Sequence, residues 1–208
     1  MISGLLNGFS DNIIPLLNPE DDVYIHTWAS EPNLKWVNKV NRYKKYFNNL
    51  VIEIEKLKFD KKLHSYFYST WKAVNLINNI NQYTTVLKFK PNISSVVYKG
   101  DLAKYFNKAY IQSRPLLEGI TRKECIYGSI YYQTLDERIF SGFPLSFTKA
   151  FHILYEDMYK KMIDLDNELI KKYGEYYEGS IFWTEWFNKN GIKLIQDTDL
   201  KMSNNIII

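Results

Sequence analysis

Polar side chains gather where apolar, strand-like runs of this chain end. Ser3 and Gly4 follow Met1-Ile2, and His26-Thr27-Trp28 close the run Asp22-Val23-Tyr24-Ile25. Lys88, Lys90 and Asn92 surround the end of Thr84-Thr85-Val86-Leu87-Lys88-Phe89. In open α/β sheets ligands bind in the crevice outside the carboxyl ends of the strands, so these residues come first as binding candidates. Hydroxyls, an imidazole and two ammonium groups suit an anionic ligand. Trp28 has a second reading as a ring that caps the core. The three histidines, His26, His64 and His152, show no metal-ligand spacing, and neither a serine elbow nor a glycine-rich phosphate loop is present. Metalloproteases, common serine hydrolases and kinases are therefore disfavoured. Asp197-Thr198-Asp199 imitates a metal motif but lies beside a tail expected to fray, where solvated carboxylates are the plainer account.

The elements that must carry these residues alternate strand and helix through the first half, the pattern of a parallel sheet with helices on its faces. Met1-Ile2 predicts a strand stub, Asp11 to Leu17 a short helix, and Val23 to Thr27 a second strand. Trp36, Val40, Tyr43 and Phe47 recur at helical spacing. Leu50, Ile52 and Ile54 alternate with Glu53 and Glu55, predicting a strand with one face exposed. A helix over Ser65 to Asn79 buries Trp71, Val74 and Ile77, and the β-branched run from Thr84 stops at Pro91. The second half predicts a helix near Asp101 to Ala109 and irregular chain from Ile120 to Pro144. One long helix follows, with Phe151, Leu154, Met158, Met162, Leu165 and Leu169 as its core stripe. A last helix over Ile181 to Asn188 closes at Asn190-Gly191, and Ile192 to Ile195 makes a final strand.

The 208 residues fit one unit without repeats or linkers. A single cysteine, Cys125, forms no internal disulfide and points to a reducing compartment. With no signal peptide and no apolar run of transmembrane length, a soluble, cytoplasmic protein is expected. The net charge of +4 suits an anionic ligand without demanding nucleic acid. The aromatic content of 16% suggests stacking on sugars or bases, but Asn, Ile, Lys and Tyr abound together, as an AT-rich genome would write them.

Four blocks in order, Ser3-Gly4, Asp22 to Trp28, Tyr68-Ser69-Thr70-Trp71-Lys72-Ala73 and Lys88-Phe89-Lys90-Pro91-Asn92-Ile93, resemble a family of small glycosyltransferases of large DNA viruses, phages and bacterial polysaccharide loci. Leu135 to Gly142 is similar to that family's Asp-x-x-Phe-x-Gly segment, and Glu178 ahead of Trp186 to Ile192 to its late Glu block. The resemblance implies a single GT-A-like α/β domain with a Rossmann-like, mainly parallel central sheet flanked by helices. Its nucleotide-sugar half would be 1–93 and its acceptor half 94–208. It implies transfer of a sugar from a nucleotide-sugar donor to a glycan or glycoprotein acceptor, in the host cytoplasm if the source is viral.

Such a transfer builds positive charge on the anomeric carbon and negative charge on the leaving diphosphate. The enzyme must neutralise phosphate oxygens and, for inversion, place a carboxylate to accept the acceptor's proton. The resemblance assigns Ser3, Gly4, His26, Thr27, Trp28, Lys72, Lys88 and Lys90 to the donor, Asp136 to the acceptor-side base, and Glu178 as second choice. Mg²⁺ or Mn²⁺ is implied at Asn92. There the family has Asp, and Asn7 stands where it has Arg, so a hard cation would be held less well and Lys88 and Lys90 would balance the diphosphate directly.

Plainer roles stand beside these. Lys88 and Lys90 have a second reading as solvated strand residues, Lys72 as a snorkelling helix residue, Asp136 as a turn cap, and Glu178 as an N-cap or first-turn residue. Two rival functions remain. A catalytically degenerate nucleotide- or glycan-binding protein would bind donor without making product, and a nucleic-acid-binding protein would lose affinity steeply as salt rises.

Overall fold

A computed structural model describes residues 1–3, 6, 17–90, 124–131 and 134–196. Seven strands form one sheet: β1 (Ile2–Ser3), β2 (Asp22–Trp28), β3 (Asn49–Glu55), β4 (Val86–Phe89), β5 (Cys125–Tyr131), β6 (Thr134–Gly142) and β7 (Lys193–Gln196). Their order is β3-β2-β1-β4-β6-β5-β7, and β6 alone runs antiparallel to its neighbours. Five α-helices accompany them: α1 (Glu31–Asn41), α2 (Lys62–Asn75), α3 (Pro144–Phe151), α4 (Tyr155–Tyr173) and α5 (Gly179–Lys189). The chain is thus α/β, with the Rossmann-like, mainly parallel sheet expected from the alternation of its first half.

One apolar core lies between the sheet and α2 to α5, built on Phe67, Phe151, Met158, Met162, Trp183 and Phe187. The methionine stripe is core packing, as its spacing predicts. A second core on the opposite face joins Ile2, Ile25, Leu50 and Phe89 to Val37 and Val40 of α1.

Several boundaries differ from the sequence expectation, each for a local reason. Glu31 and Pro32 suit the first turn of α1, which nevertheless ends at Asn41. Tyr43 and Phe47 therefore fall outside it, around a 3₁₀ turn over Lys44–Tyr46. Helix α2 starts earlier than expected and stops at Asn75, ahead of Asn79, whose φ of 52° is left-handed. The expected long helix is two. The Ala150 and Phe151 carbonyls of α3 accept from Trp186 Nε1 and Asn75 Nδ2, and the Ile153 carbonyl from Trp71 Nε1. Side chains thus satisfy the α3 terminus, and the chain restarts at Leu154, which is 73% exposed rather than core.

The stretch expected to be irregular before Pro144 contains the antiparallel pair β5 and β6. Their strand character comes from pairing, β6 being held between β4 and β5, rather than from the charged run Asp136-Glu137-Arg138. Helix α5 does end at Asn190-Gly191, with Gly191 at φ +65°. The helices expected over Asp11 to Leu17 and Asp101 to Ala109, and the tail after Asp199, lie essentially outside the described residues. Among the described residues no helix is long and apolar enough to cross a membrane.

Candidate functional site at the carboxyl edge

The connections leave β1 in both directions, toward β2 and β3 on one side and β4 on the other. Open α/β sheets place their ligand crevice at such a switch, which in this sheet is the edge outside the carboxyl ends of β1 and β4. Ser3 is level with His26, and His26 with Glu53, so the three share one face of the sheet. Helix α2 lies on that face and bonds to each in turn. Ser3 Oγ meets Thr70 Oγ1 at 2.9 Å, His26 Nδ1 meets Ser69 Oγ at 2.9 Å, and Lys72 Nζ donates to Glu53 Oε1 at 2.9 Å.

The β4 lysines join the same row through Tyr66 of α2. Lys90 Nζ lies 4.0 Å from the centre of the Tyr66 ring and Lys88 Nζ 4.3 Å, within cation–π range. Lys88 Nζ also donates to the Tyr66 hydroxyl. Lys88 is fully buried, with the rings of Phe140 and Trp183 at 4.9 and 5.3 Å. It is not the solvated strand residue its type would suggest.

The structure thus brings Ser3, His26, Lys72, Lys88 and Lys90 together, mostly in a layer between sheet and helix rather than on an open wall. Thr27 points to the other face, where its hydroxyl accepts from Asn33 Nδ2 at 2.7 Å. Trp28 is buried and stacks on Tyr68 with ring centres 5.8 Å apart, so its core-capping reading describes its packing. Lys72 does not snorkel into solvent but bridges Glu53 and Glu55, at 2.9 and 2.8 Å.

Electrostatics follow from this layer. Burial lowers the His26 pKa to about 4, with Glu55 opposing the shift, so the ring is neutral near neutrality. Glu55 is raised by desolvation but lowered further by hydrogen bonds from Lys72, Tyr68 and Lys58, to about 2. Desolvation also lowers Lys72, but its hydrogen bonds to Glu55 and Glu53 win and keep it firmly protonated.

On the other flank of β4, β6 pairs with it through Phe89 and Ile139, so the first residues of β6 run past the end of β4 along the same edge. Asp136 belongs to that segment, and its side chain lies outside the described residues, as do Gly4 and Asn92. Glu178 is the N-cap residue of α5; it is exposed, and its Oε2 receives Ser180 Oγ at 3.3 Å.

Sequence reading missed two constellations here. Asn33 binds three groups from two segments, Leu6 and the end of β2, and Asp166 of α4 accepts from Lys61 at 2.5 Å, Tyr177 at 2.5 Å and His64 at 2.9 Å. Desolvation opposes ionisation of Asp166, but these bonds outweigh it and hold its pKa below the usual value. The Lys61 and His64 partners lie about a hundred residues away in sequence, beyond the reach of any local spacing.

Among the described residues, no group of three or more His, Cys, Asp or Glu side chains could hold a metal. Those near the crevice present lysines, and Glu53 and Glu55 are committed to Lys72, so the described donor set does not fit a hard cation. A cavity of about 400 Å³ opens at the opposite, amino-terminal edge, lined by Asp21, Asp22, Tyr24, Tyr83 and Thr84 among others. It contains none of the predicted site residues.

No family model matches the chain, and no curated protein does. Among solved structures it is similar to the apo crystal structure of mouse xyloside xylosyltransferase 1, at 9% identity and a TM-score of 0.43, covering 92% of this chain and 80% of that one.

Proposed function

We propose that the chain is a glycosyltransferase of GT-A-like fold that moves a sugar from a nucleotide-sugar donor to a glycan or protein-linked acceptor. One observation carries this reading. The sheet reverses its connections between β1 and β4, and Ser3, His26 to Trp28, Lys88 and Lys90, which lie in the blocks that resemble the family, come from strand ends around that reversal.

In this reading Lys90 and Lys88 offset the charge of the diphosphate, and Tyr66 holds both ammonium groups in place. Ser3 and His26 fix the strand ends against α2, while Thr27, bonded to Asn33, and the buried Trp28 ring back the wall from within. The acceptor hydroxyl attacks the anomeric carbon as the bond to the diphosphate breaks, and the bonding pair leaves with the diphosphate. For inversion, the Asp136 carboxylate takes the acceptor's proton. Glu178 is the weaker choice for that role, because it stands exposed at the N-cap position of α5 with its carboxylate turned to Ser180 Oγ.

Two measurements on the same protein test the proposal: thermal shift with a panel of nucleotide sugars, with and without Mn²⁺ or Mg²⁺, and detection of transferred sugar. Stabilisation by one donor together with product supports it, and no stabilisation by any donor overturns it. The second reading, a binding protein that has lost catalysis, is favoured by Asn92 and by the engagement of Lys72 with two glutamates. It predicts stabilisation without product.

A further inference from the structure

We infer that Asn33, which no block of the resemblance contains, is a positioning residue that ties the chain after β1 to the end of β2. The inference rests on the glycosyltransferase reading, since Ser3, assigned there to the donor site, ends β1 only three residues ahead of Leu6. Asn33 sits in the first turn of α1 and is buried. Its Oδ1 accepts the Leu6 backbone N–H at 2.8 Å. Its Nδ2 donates to the Trp28 carbonyl at 2.6 Å and to Thr27 Oγ1 at 2.7 Å.

Two of those partners fix the amide without ambiguity. A backbone N–H can only donate and a carbonyl can only accept, so the side-chain oxygen must face Leu6 and the nitrogen Trp28. Both donors and one acceptor position of the amide are in use. No other side chain of similar size supplies that set: Asp lacks the donors, while Leu lacks every polar atom.

The consequence concerns the crevice. Ser3 is tied to Thr70 of α2 on one face, and Leu6 to Asn33 of α1 on the other. The described residues on both sides of Gly4 are thus anchored to different helices, so their spacing is set by both. Loss of the Asn33 anchor frees one side only, which predicts a donor-specific defect rather than general loss of the site. Misplacement of a binding segment carries a large kinetic penalty even when chemistry is untouched.

The test uses Asn33→Ala and the isosteric Asn33→Asp in the full chain. Hydrogen exchange at the Leu6 amide should speed up roughly five- to tenfold in Asn33→Ala, the factor carried by one lost hydrogen bond of ordinary strength. Asn33→Asp keeps an oxygen for the Leu6 N–H but sets its other oxygen against the Trp28 carbonyl, so Leu6 exchange should speed up less than in Asn33→Ala. Donor KM should rise on the order of ten- to a hundredfold in Asn33→Ala while acceptor KM stays constant. Unchanged Leu6 exchange in Asn33→Ala, or equal rises in both KM values, overturns the inference. Absence of donor stabilisation in the unaltered chain would instead count against the glycosyltransferase reading, and Leu6 exchange would still decide whether the clamp exists.

Discussion

His26 Nε2 stands 3.8 Å from Glu55 Oε2, too far for a hydrogen bond, and has no partner although its ring is fully buried. Burial explains why the ring stays neutral there: its pKa falls from 6.5 to about 4. A base whose folded pKa is depressed binds its proton less tightly folded than unfolded. Its contribution to stability is therefore complete above 6.5 and lost as pH falls toward 4. The gap is worth about 3 kcal/mol, and Glu55, ionised down to about 2, remains a carboxylate throughout the window. Denaturation midpoints measured across that window should fall with acid in the original chain and fall less in His26→Gln. Parallel slopes would remove His26 as the source. His64 and His152 are lowered by burial too, so some slope should persist in the variant.

Lys72 and Lys90 share a charge but not a task, and two substitutions separate them. Lys72 bridges two carboxylates that are themselves partly exposed, so Lys72→Met should cost about 1 kcal/mol of stability and leave donor affinity nearly unchanged. Lys90 lies against Tyr66 at the end of β4, where the diphosphate is proposed to sit. Lys90→Met should weaken donor binding about tenfold with little change in stability, the loss expected for one charge-assisted hydrogen bond. Donor titration and urea unfolding of both variants check the pair. The opposite pattern would return Lys72 to the donor site.

Asp166 makes a prediction about stability alone. It is buried and gathers Lys61, His64 and Tyr177 from α2, its approach and the approach to α5. Asp166→Asn keeps the shape but removes the charge and one acceptor oxygen, which should cost about 2–3 kcal/mol. Because its folded pKa lies below 3.8, the carboxylate stabilises above that value and the contribution fades as pH drops through the folded pKa. Guanidinium unfolding near neutral pH and in acid should show the variant's deficit shrinking as the medium becomes acidic.

These residues also mark where sequence reading succeeds and stops. The β2 run was legible because alternate side chains face two cores, and parallel strands buried on both faces read as apolar runs. The ends of that run announced the crevice, since polar residues interrupt apolar ones only there. What they touch was not legible. Ser3, His26 and Glu53 meet three successive polar positions of α2, a relationship fixed by the helix's placement on the sheet. The exposed face expected for β3 is wrong for the same reason, because Lys72 covers Glu53 and Glu55. Strand β6 hid behind a charged run whose strand form comes from two neighbours distant in sequence.

Asp136 carries the most direct prediction about chemistry. It belongs to the first residues of β6, and the register through Phe89 and Ile139 sets that segment beyond the end of β4. In the proposed reading a carboxylate there would lie on the acceptor side of a donor whose diphosphate sits at Lys90, with the buried Lys88 acting from beneath Tyr66. If it removes the acceptor's proton, Asp136→Asn keeps size and hydrogen-bonding capacity but loses the base. Turnover should then drop on the order of 10²–10⁴, while the thermal shift given by the donor is preserved. Glu178→Gln, altering an exposed carboxylate at the start of α5 that makes no side-chain cap bond, should change turnover no more than about twofold and stability by about 0.5 kcal/mol or less. Initial rates for both variants at saturating donor decide between them, because a collapse in Glu178→Gln with activity intact in Asp136→Asn would exchange their roles.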